Sequence, residues 1–212
     1  MALLKEKVAG EAKKVLQEMS GPVSLTYYTQ EMECEPCASM SLFIDELTAL
    51  EGQLKVKKKD FLADGEEARR TGVHHIPALL LHRPEDNRAA VRYYGMPGGY
   101  EFGAFLRTIV LFSTGRFDQP IDRESLDLIE KDINLKIFVL AGCPSCPVMA
   151  YLGTGLAFLC PRVTTEIIEA NTFIDLSTRF TVGAVPKIIV NDSTEIVGVL
   201  PPGELVKRLI AP

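Results

Sequence analysis

The tetrapeptide Cys143-Pro144-Ser145-Cys146 follows the apolar run Leu135-Lys136-Ile137-Phe138-Val139-Leu140 and opens a second apolar segment. That order reads as strand, tight turn and helix start. A cysteine at such a turn places its sulfur near the unpaired N–H groups of the first helical turn, whose partial positive charge favours thiolate over thiol. A second cysteine three positions on can capture the first in an intramolecular disulfide. The proline between them suits a helix start, where its missing N–H has no partner to lose.

The device occurs twice. Cys34-Glu35-Pro36-Cys37 follows the strand-like Val23-Ser24-Leu25-Thr26-Tyr27-Tyr28, and Cys34, Cys37 and Pro77 recur 109 positions later as Cys143, Cys146 and Pro186. Each proline follows an apolar residue and opens a β-rich run, Ile76-Pro77-Ala78-Leu79-Leu80-Leu81 and Val185-Pro186-Lys187-Ile188-Ile189-Val190. Landmarks that hold one offset over this distance mark an internal repeat. With 212 residues, each half is long enough to bury a core of its own. The expected organisation is an N-terminal unit, 1–116, carrying Cys34 and Cys37, and a C-terminal unit, 117–212, carrying Cys143 and Cys146. Ser113 to Pro120 supplies a short linker.

Composition narrows the function. A net charge of -5 argues against a nucleic-acid surface, and Lys57-Lys58-Lys59 reads as a solvated strand edge rather than a phosphate site. Lys5, Glu6 and Lys7 stand where a secretory leader has its apolar region, so the expected location is the cytoplasm. Residues 137–161 carry no charge, a length that could span a bilayer. Glycines and prolines interrupt them, however, and the matching first-half stretch carries Glu31, Glu33, Glu35, Asp45 and Glu46. They read instead as a buried strand and a buried helix, with no membrane partner. In a reducing compartment, five cysteines are not a disulfide scaffold; C-x-x-C beside a β–α pattern means redox or zinc. Cys160 stands alone and reads as a small buried residue.

Periodicity and turn signals give helices over 3–19, from Cys34 to 51, 64–70, 100–112, 122–131, 145–159, 173–180 and 203–210. Strands are expected at 23–28, 54–61, 77–81, 89–94, 135–140, 163–168, 187–190 and 195–199.

Within each unit the order β-α-β-α-β-β-α, with C-x-x-C after the first strand and a proline opening the third, resembles the thioredoxin fold. Two such units, together with Cys143-Pro144-Ser145-Cys146-Pro147, Ala184-Val185-Pro186-Lys187-Ile188 and Arg92-Tyr93-Tyr94-Gly95-Met96-Pro97 followed by Glu101-Phe102, resemble the tandem-domain protein disulfide oxidoreductases. These are the glutaredoxin-like proteins first met in thermophilic archaea and bacteria, though the ordinary charge content gives no sign of a thermophilic source here. The resemblance implies an α/β protein of two tandem thioredoxin-like units, each a central mixed β-sheet flanked by helices. It further implies thiol–disulfide exchange with protein disulfide or dithiol substrates, a thioredoxin-reductase-like electron donor and no cofactor. It places cis bonds before Pro77 and Pro186, so that Ile76 and Val185 meet an incoming peptide through their main chains.

On this reading Cys34 and Cys143, exposed at the turns, attack, and the deeper Cys37 and Cys146 resolve. A free thiol with a pKa of about 8.5 is only about 3% thiolate at pH 7; lowering it to about 7 makes half of it thiolate, for roughly 2 kcal/mol. One feature of thioredoxins is missing from both strands: 23–28 and 135–140 hold no carboxylate to take the resolving cysteine's proton. His74 and His75, near Pro77, are candidates for that task. Three rival readings are an electron-relay module serving a peroxidase, a zinc module built from the four paired cysteines, and a glutathione-dependent glutaredoxin. The relay proteins usually lack the first cysteine pair, and 105 residues between pairs is far from the spacing of zinc ribbons.

Overall fold

A computed structural model of the protein describes residues 2–210. The chain runs α1 (Glu6–Leu16), β1 (Val23–Thr29), α2 (Glu35–Leu50), β2 (Leu54–Asp60), α3 (Gly65–Arg70), β3 (Ala78–His82), β4 (Ala89–Tyr94), α4 (Glu101–Thr114), α5 (Arg123–Asp127), β5 (Ile133–Val139), α6 (Cys146–Leu159), β6 (Val163–Glu169), α7 (Ile174–Arg179), β7 (Lys187–Val190), β8 (Thr194–Val197) and α8 (Pro202–Ile210). Every expected element is present. The opening helix is shorter than its apolar spacing suggests, and α5 is only five residues long. Asp122 caps α5 by accepting from the Glu124 N–H. It ends where Leu126 and Ile129 turn into the core.

The strands form one eight-stranded mixed sheet, ordered β2-β1-β3-β4-β6-β5-β7-β8. Within each half, the first two strands pair in parallel and the last two form a hairpin antiparallel to the first. The halves join through β4 and β6, parallel, with Arg92 opposite Glu166 and Tyr93 opposite Ile167. The two expected sheets are therefore continuous.

Alternation along the strands sends successive side chains to opposite faces. Tyr27, Leu79, Tyr93, Ile137, Ile167 and Ile188 pack with the long helices, while Tyr28, Leu80, Tyr94, Phe138, Ile168 and Ile189 pack beneath α3 and α7. The join also explains the uncharged stretch. Helix α6 lies against β5 and β6 and is covered in turn by α4, so residues from Met149 to Ala157 are all buried. Its counterpart α2 is touched by α1 and, through Phe43, by Phe102 and Phe105 of α4, but keeps Leu42 and Asp45 exposed. Gly155 lets α6 approach the Phe117 ring, where a Cβ would collide. Thr108 and Thr154 hydroxyls bond across the two helices at 2.9 Å, which satisfies two polar groups that burial would otherwise penalise.

Among the described residues, no helix is long and apolar enough to cross a membrane. Lys57 and Lys58 are exposed as expected, but Lys59 is not. Its ammonium is buried between Glu67 and Asp64, because β2 pleats it toward α3.

Candidate active site

Both cysteine pairs sit where a strand hands over to a helix. Cys34 is the N-cap of α2, half-buried, while Cys37 is 2% exposed. Cys37 is held from beneath: the Tyr27 hydroxyl donates to its carbonyl at 2.9 Å. In the second half, α6 begins two residues later relative to its motif. Ser145 is the cap and Cys143 precedes it, half-buried, with Cys146 wholly buried. The Cys146 N–H points at the Cys143 sulfur at 3.1 Å, the donor placement that favours a thiolate there. Each pair is bridged, with Cα atoms 5.4 Å apart at Cys34–Cys37 and 5.5 Å at Cys143–Cys146, and Cys160 is free and buried.

The loops before β3 and β7 carry the two expected prolines. Ile76–Pro77 and Val185–Pro186 are both cis. The Val185 carbonyl lies 3.8 Å from the Cys143 sulfur, so the second dithiol and its proline loop are in direct contact. Strands β1 and β5 run the same way, which places both motifs on one rim of the sheet. Three strands separate them, a spacing of about 19 Å. Four cysteines so divided cannot converge on one zinc ion, whose thiolate bonds are about 2.3 Å, and the zinc reading is set aside on that geometry.

A buried carboxyl lies at the join of the two halves. Glu101, the first residue of α4, is 2% exposed, and neither of its oxygens has a hydrogen-bond partner. Burial raises its pKa to about 7. It belongs to the first half but faces the second, in a narrow space shared with Tyr93, Val139, Ala141, Ile167 and Glu169. Val139 and Ala141 lead directly into Cys143. Nothing local in the sequence signals this, because an acid in the first turn of a helix is ordinarily a solvated partner of the helix dipole.

His75 lies at the join of the two halves. Its ring is half-buried against Tyr94 and Phe173, at 5.7 and 5.9 Å. Desolvation, then the neighbouring His74, lower its pKa, with Glu166 acting in the opposite sense. Its ring packs at the join, and His74 is exposed.

The fold has solved counterparts. A protein disulfide oxidoreductase from Aeropyrum pernix K1 superposes with a TM-score of 0.88 over 98% of this chain and 92% of its own, at 21% identity. The chain is a tandem thioredoxin-fold protein. The alkylhydroperoxide reductase component AhpF of Enterococcus faecalis V583 has the same tandem fold, with a TM-score of 0.87 over 97% of this chain and 98% of that one, at 17% identity. The thioredoxin-domain family model matches residues 133–211 of the second half. No curated protein matches the sequence.

Proposed function

We propose that the protein is a thiol–disulfide oxidoreductase that exchanges disulfides with protein substrates through two dithiols, the Cys143–Cys146 pair being the principal one. The observation that carries this reading is the matched burial in both halves: a half-exposed first sulfur and a buried second one at a strand-to-helix turn. Cys143 or Cys34, as thiolate, attacks one sulfur of a substrate disulfide and forms a mixed disulfide, and the displaced sulfur leaves and takes a proton. Cys146 or Cys37 then attacks its neighbour, releasing the second substrate thiol. Two electrons pass from the dithiol to the substrate.

The second step needs the resolving thiol deprotonated. Glu101 is suited to the second dithiol, since a buried carboxyl with a pKa near ambient pH can take and return a proton. Ile76 and Val185, before Pro77 and Pro186, present main chain beside the sulfurs and suit unselective recognition of polypeptides. The working units are 1–116 and 117–212, divided after the left-handed Gly115 that ends α4. A thioredoxin-reductase-like flavoprotein in the cytoplasm regenerates the dithiols.

Insulin reduction tests this, with dithiothreitol, glutathione and a thioredoxin reductase compared as donors. Turnover with the reductase, lost when Cys143 and Cys146 are replaced by serine, is the expected outcome. Full turnover with both pairs replaced would falsify the reading.

A further inference from the structure

Strand β1 has β2 on one side and β3, with its cis-proline loop, on the other; β5 likewise lies between β6 and β7. Each dithiol therefore has a flank that faces away from its proline, and the two flanks differ. Strand β6 is paired onward to β4, and the segment after β4 covers this flank of the second dithiol. There the Tyr100 N–H donates to the Ala141 carbonyl at 2.9 Å, and Gly95 lies so near Glu169 that a Cβ would crowd it. Only a crevice of about 10 Å³ is left between Val139, Ala141, Ile167 and that segment. Strand β2 is instead the edge of the sheet. The same flank of the first dithiol is an open cavity of about 730 Å³, lined by Cys34 and Cys37 together with the ends of β1 and β2 and the loop between them and Cys34.

The surroundings of this cavity are acidic. Glu31 and Glu33 are exposed in the loop before Cys34, and Glu35 is exposed just after it. Among the described residues, none of the three is in an ion pair. Asp60 adds a carboxylate at the end of β2, which accepts from the Leu62 and Ala63 N–H groups. Against these stand Lys58, exposed, and Lys59, whose ammonium is already held by Glu67 and Asp64. Met32 and Leu62, 74% and 71% exposed, put two apolar side chains in the same lining. The loop before Cys143, by contrast, is Leu140-Ala141-Gly142 and carries no charge.

We infer that the first dithiol selects its substrates by charge: it exchanges with protein disulfides whose cysteine has a lysine or arginine beside it, the cation seating by Glu31 and Glu33, whereas the second dithiol is indifferent to such a charge. The inference rests on the dithiol reading above and adds the substrate class for one of the two sites. The occupant is cationic because Glu31 and Glu33 attract a cation and repel an acidic segment. It is polypeptide rather than a small cation because the cavity begins at the sulfurs themselves and because Met32 and Leu62 offer apolar area that only a larger partner covers.

The test uses two synthetic hexapeptides, each with one cysteine held as a mixed disulfide with 2-mercaptoethanol, differing only in a lysine or a glutamate next to the cysteine. The Cys34 thiolate bonds to the peptide sulfur, and mercaptoethanol leaves and is protonated by water. Cys37 then gives its proton to solvent, attacks Cys34 and releases the peptide as a thiol, so that the dithiol is oxidised by two electrons and the mixed disulfide reduced. Each rate is divided by that of dithiothreitol with the same peptide, which removes the peptides' own difference in reactivity. Protein with Cys143 and Cys146 replaced by serine should prefer the lysine peptide about fivefold at low salt, the worth of one or two exposed ion pairs. The preference should vanish at about 1 M salt, where screening acts within about 3 Å. Protein keeping only the second pair should show a ratio close to one. Glu31→Gln combined with Glu33→Gln, which alters only exposed charges, should bring the first pair's ratio close to one; a more acidic Cys34 would speed both peptides alike and leave the ratio where it was. Equal ratios at both dithiols, or a ratio unmoved by salt and by the paired substitution, overturns the inference. The dithiol reading is checked separately with bis(2-hydroxyethyl) disulfide, which is small and uncharged. A reduced Cys34–Cys37 pair that fails to react with it overturns that reading at the first site and the selectivity together, whereas reaction with it beside a peptide ratio of one overturns the selectivity alone.

Discussion

The backbone N–H of Tyr100, at the head of α4, donates to the carbonyl of Ala141 at 2.9 Å, tying the first half's closing helix to the turn that carries Cys143. Gly99 makes the approach possible. Its φ of +58° is left-handed, and a Cβ there would run into the Ala141 carbonyl. Gly99→Val should cost about 1–2 kcal/mol in backbone conformation and displace the turn as well. Exchange at Cys143 should slow by roughly tenfold or more, as expected of a reacting atom moved by a fraction of an ångström, with Cys34 unaffected. Site-resolved kinetics of mixed-disulfide formation read both; equal slowing would mean the contact does not act through the turn.

Glu101 makes a pH-dependent contribution to stability. Its folded pKa, about 7, lies above the ordinary 4.5, so the folded state is best favoured below 4.5 and loses ground as pH rises through 7. Over that window the loss is about 3 kcal/mol. In urea titrations, Glu101→Gln should gain on the parent protein by about that amount between pH 4.5 and 8. The same substitution should slow release of a mixed disulfide from Cys143 by roughly a hundredfold, the usual worth of a proton acceptor. Greater stability without slower release would leave Glu101 no part in proton transfer.

Cys146→Ser should trap substrate. With the resolving sulfur gone, the mixed disulfide at Cys143 has no internal route out, and covalent adducts should accumulate on non-reducing gels. Trapping by Cys143→Ser instead would reverse the order of attack.

The two attacking thiols should differ in acidity, with Cys143 the stronger acid. Around Cys34 stand Glu31, Glu33 and Glu35, all exposed. One carboxylate at about 6 Å and an effective dielectric near 40 disfavours a thiolate by about one pKa unit before screening. Cys143 has no charged neighbour in its loop and receives the Cys146 N–H. Iodoacetamide alkylation of the reduced protein, followed peptide by peptide against pH, measures both. A lower apparent pKa at Cys34 would show that the desolvation of Cys143 beside the apolar α6 outweighs the carboxylates and the N–H.

The repeat, the element order and both dithiols were legible in the sequence because each depends on near neighbours in the chain. Alternation marks a strand, and a helix start confers acidity on the cysteine beside it. The repeat of the prolines was legible in the spacing, since Pro77 and Pro186 each keep 40 positions from the second cysteine of their pair, and their cis bonds were implied by the resemblance to the thioredoxin fold. Tertiary structure decided what depends on the join. Glu101, 42 positions before Cys143 in the chain, is buried against Val139 and Ala141 through the pairing of β4 with β6, and no local pattern encodes a contact between halves. The uncharged run at 137–161 was recognisable as buried, but only the seating of α4 on α6 explains why the second half is apolar where the first is acidic. His75, a candidate base by position, packs against Phe173 of the other half, a contact that its own loop does not signal. Local sequence determined which groups can react; the packing of one half on the other decided which of them are desolvated, and desolvation sets their protonation and their access to substrate.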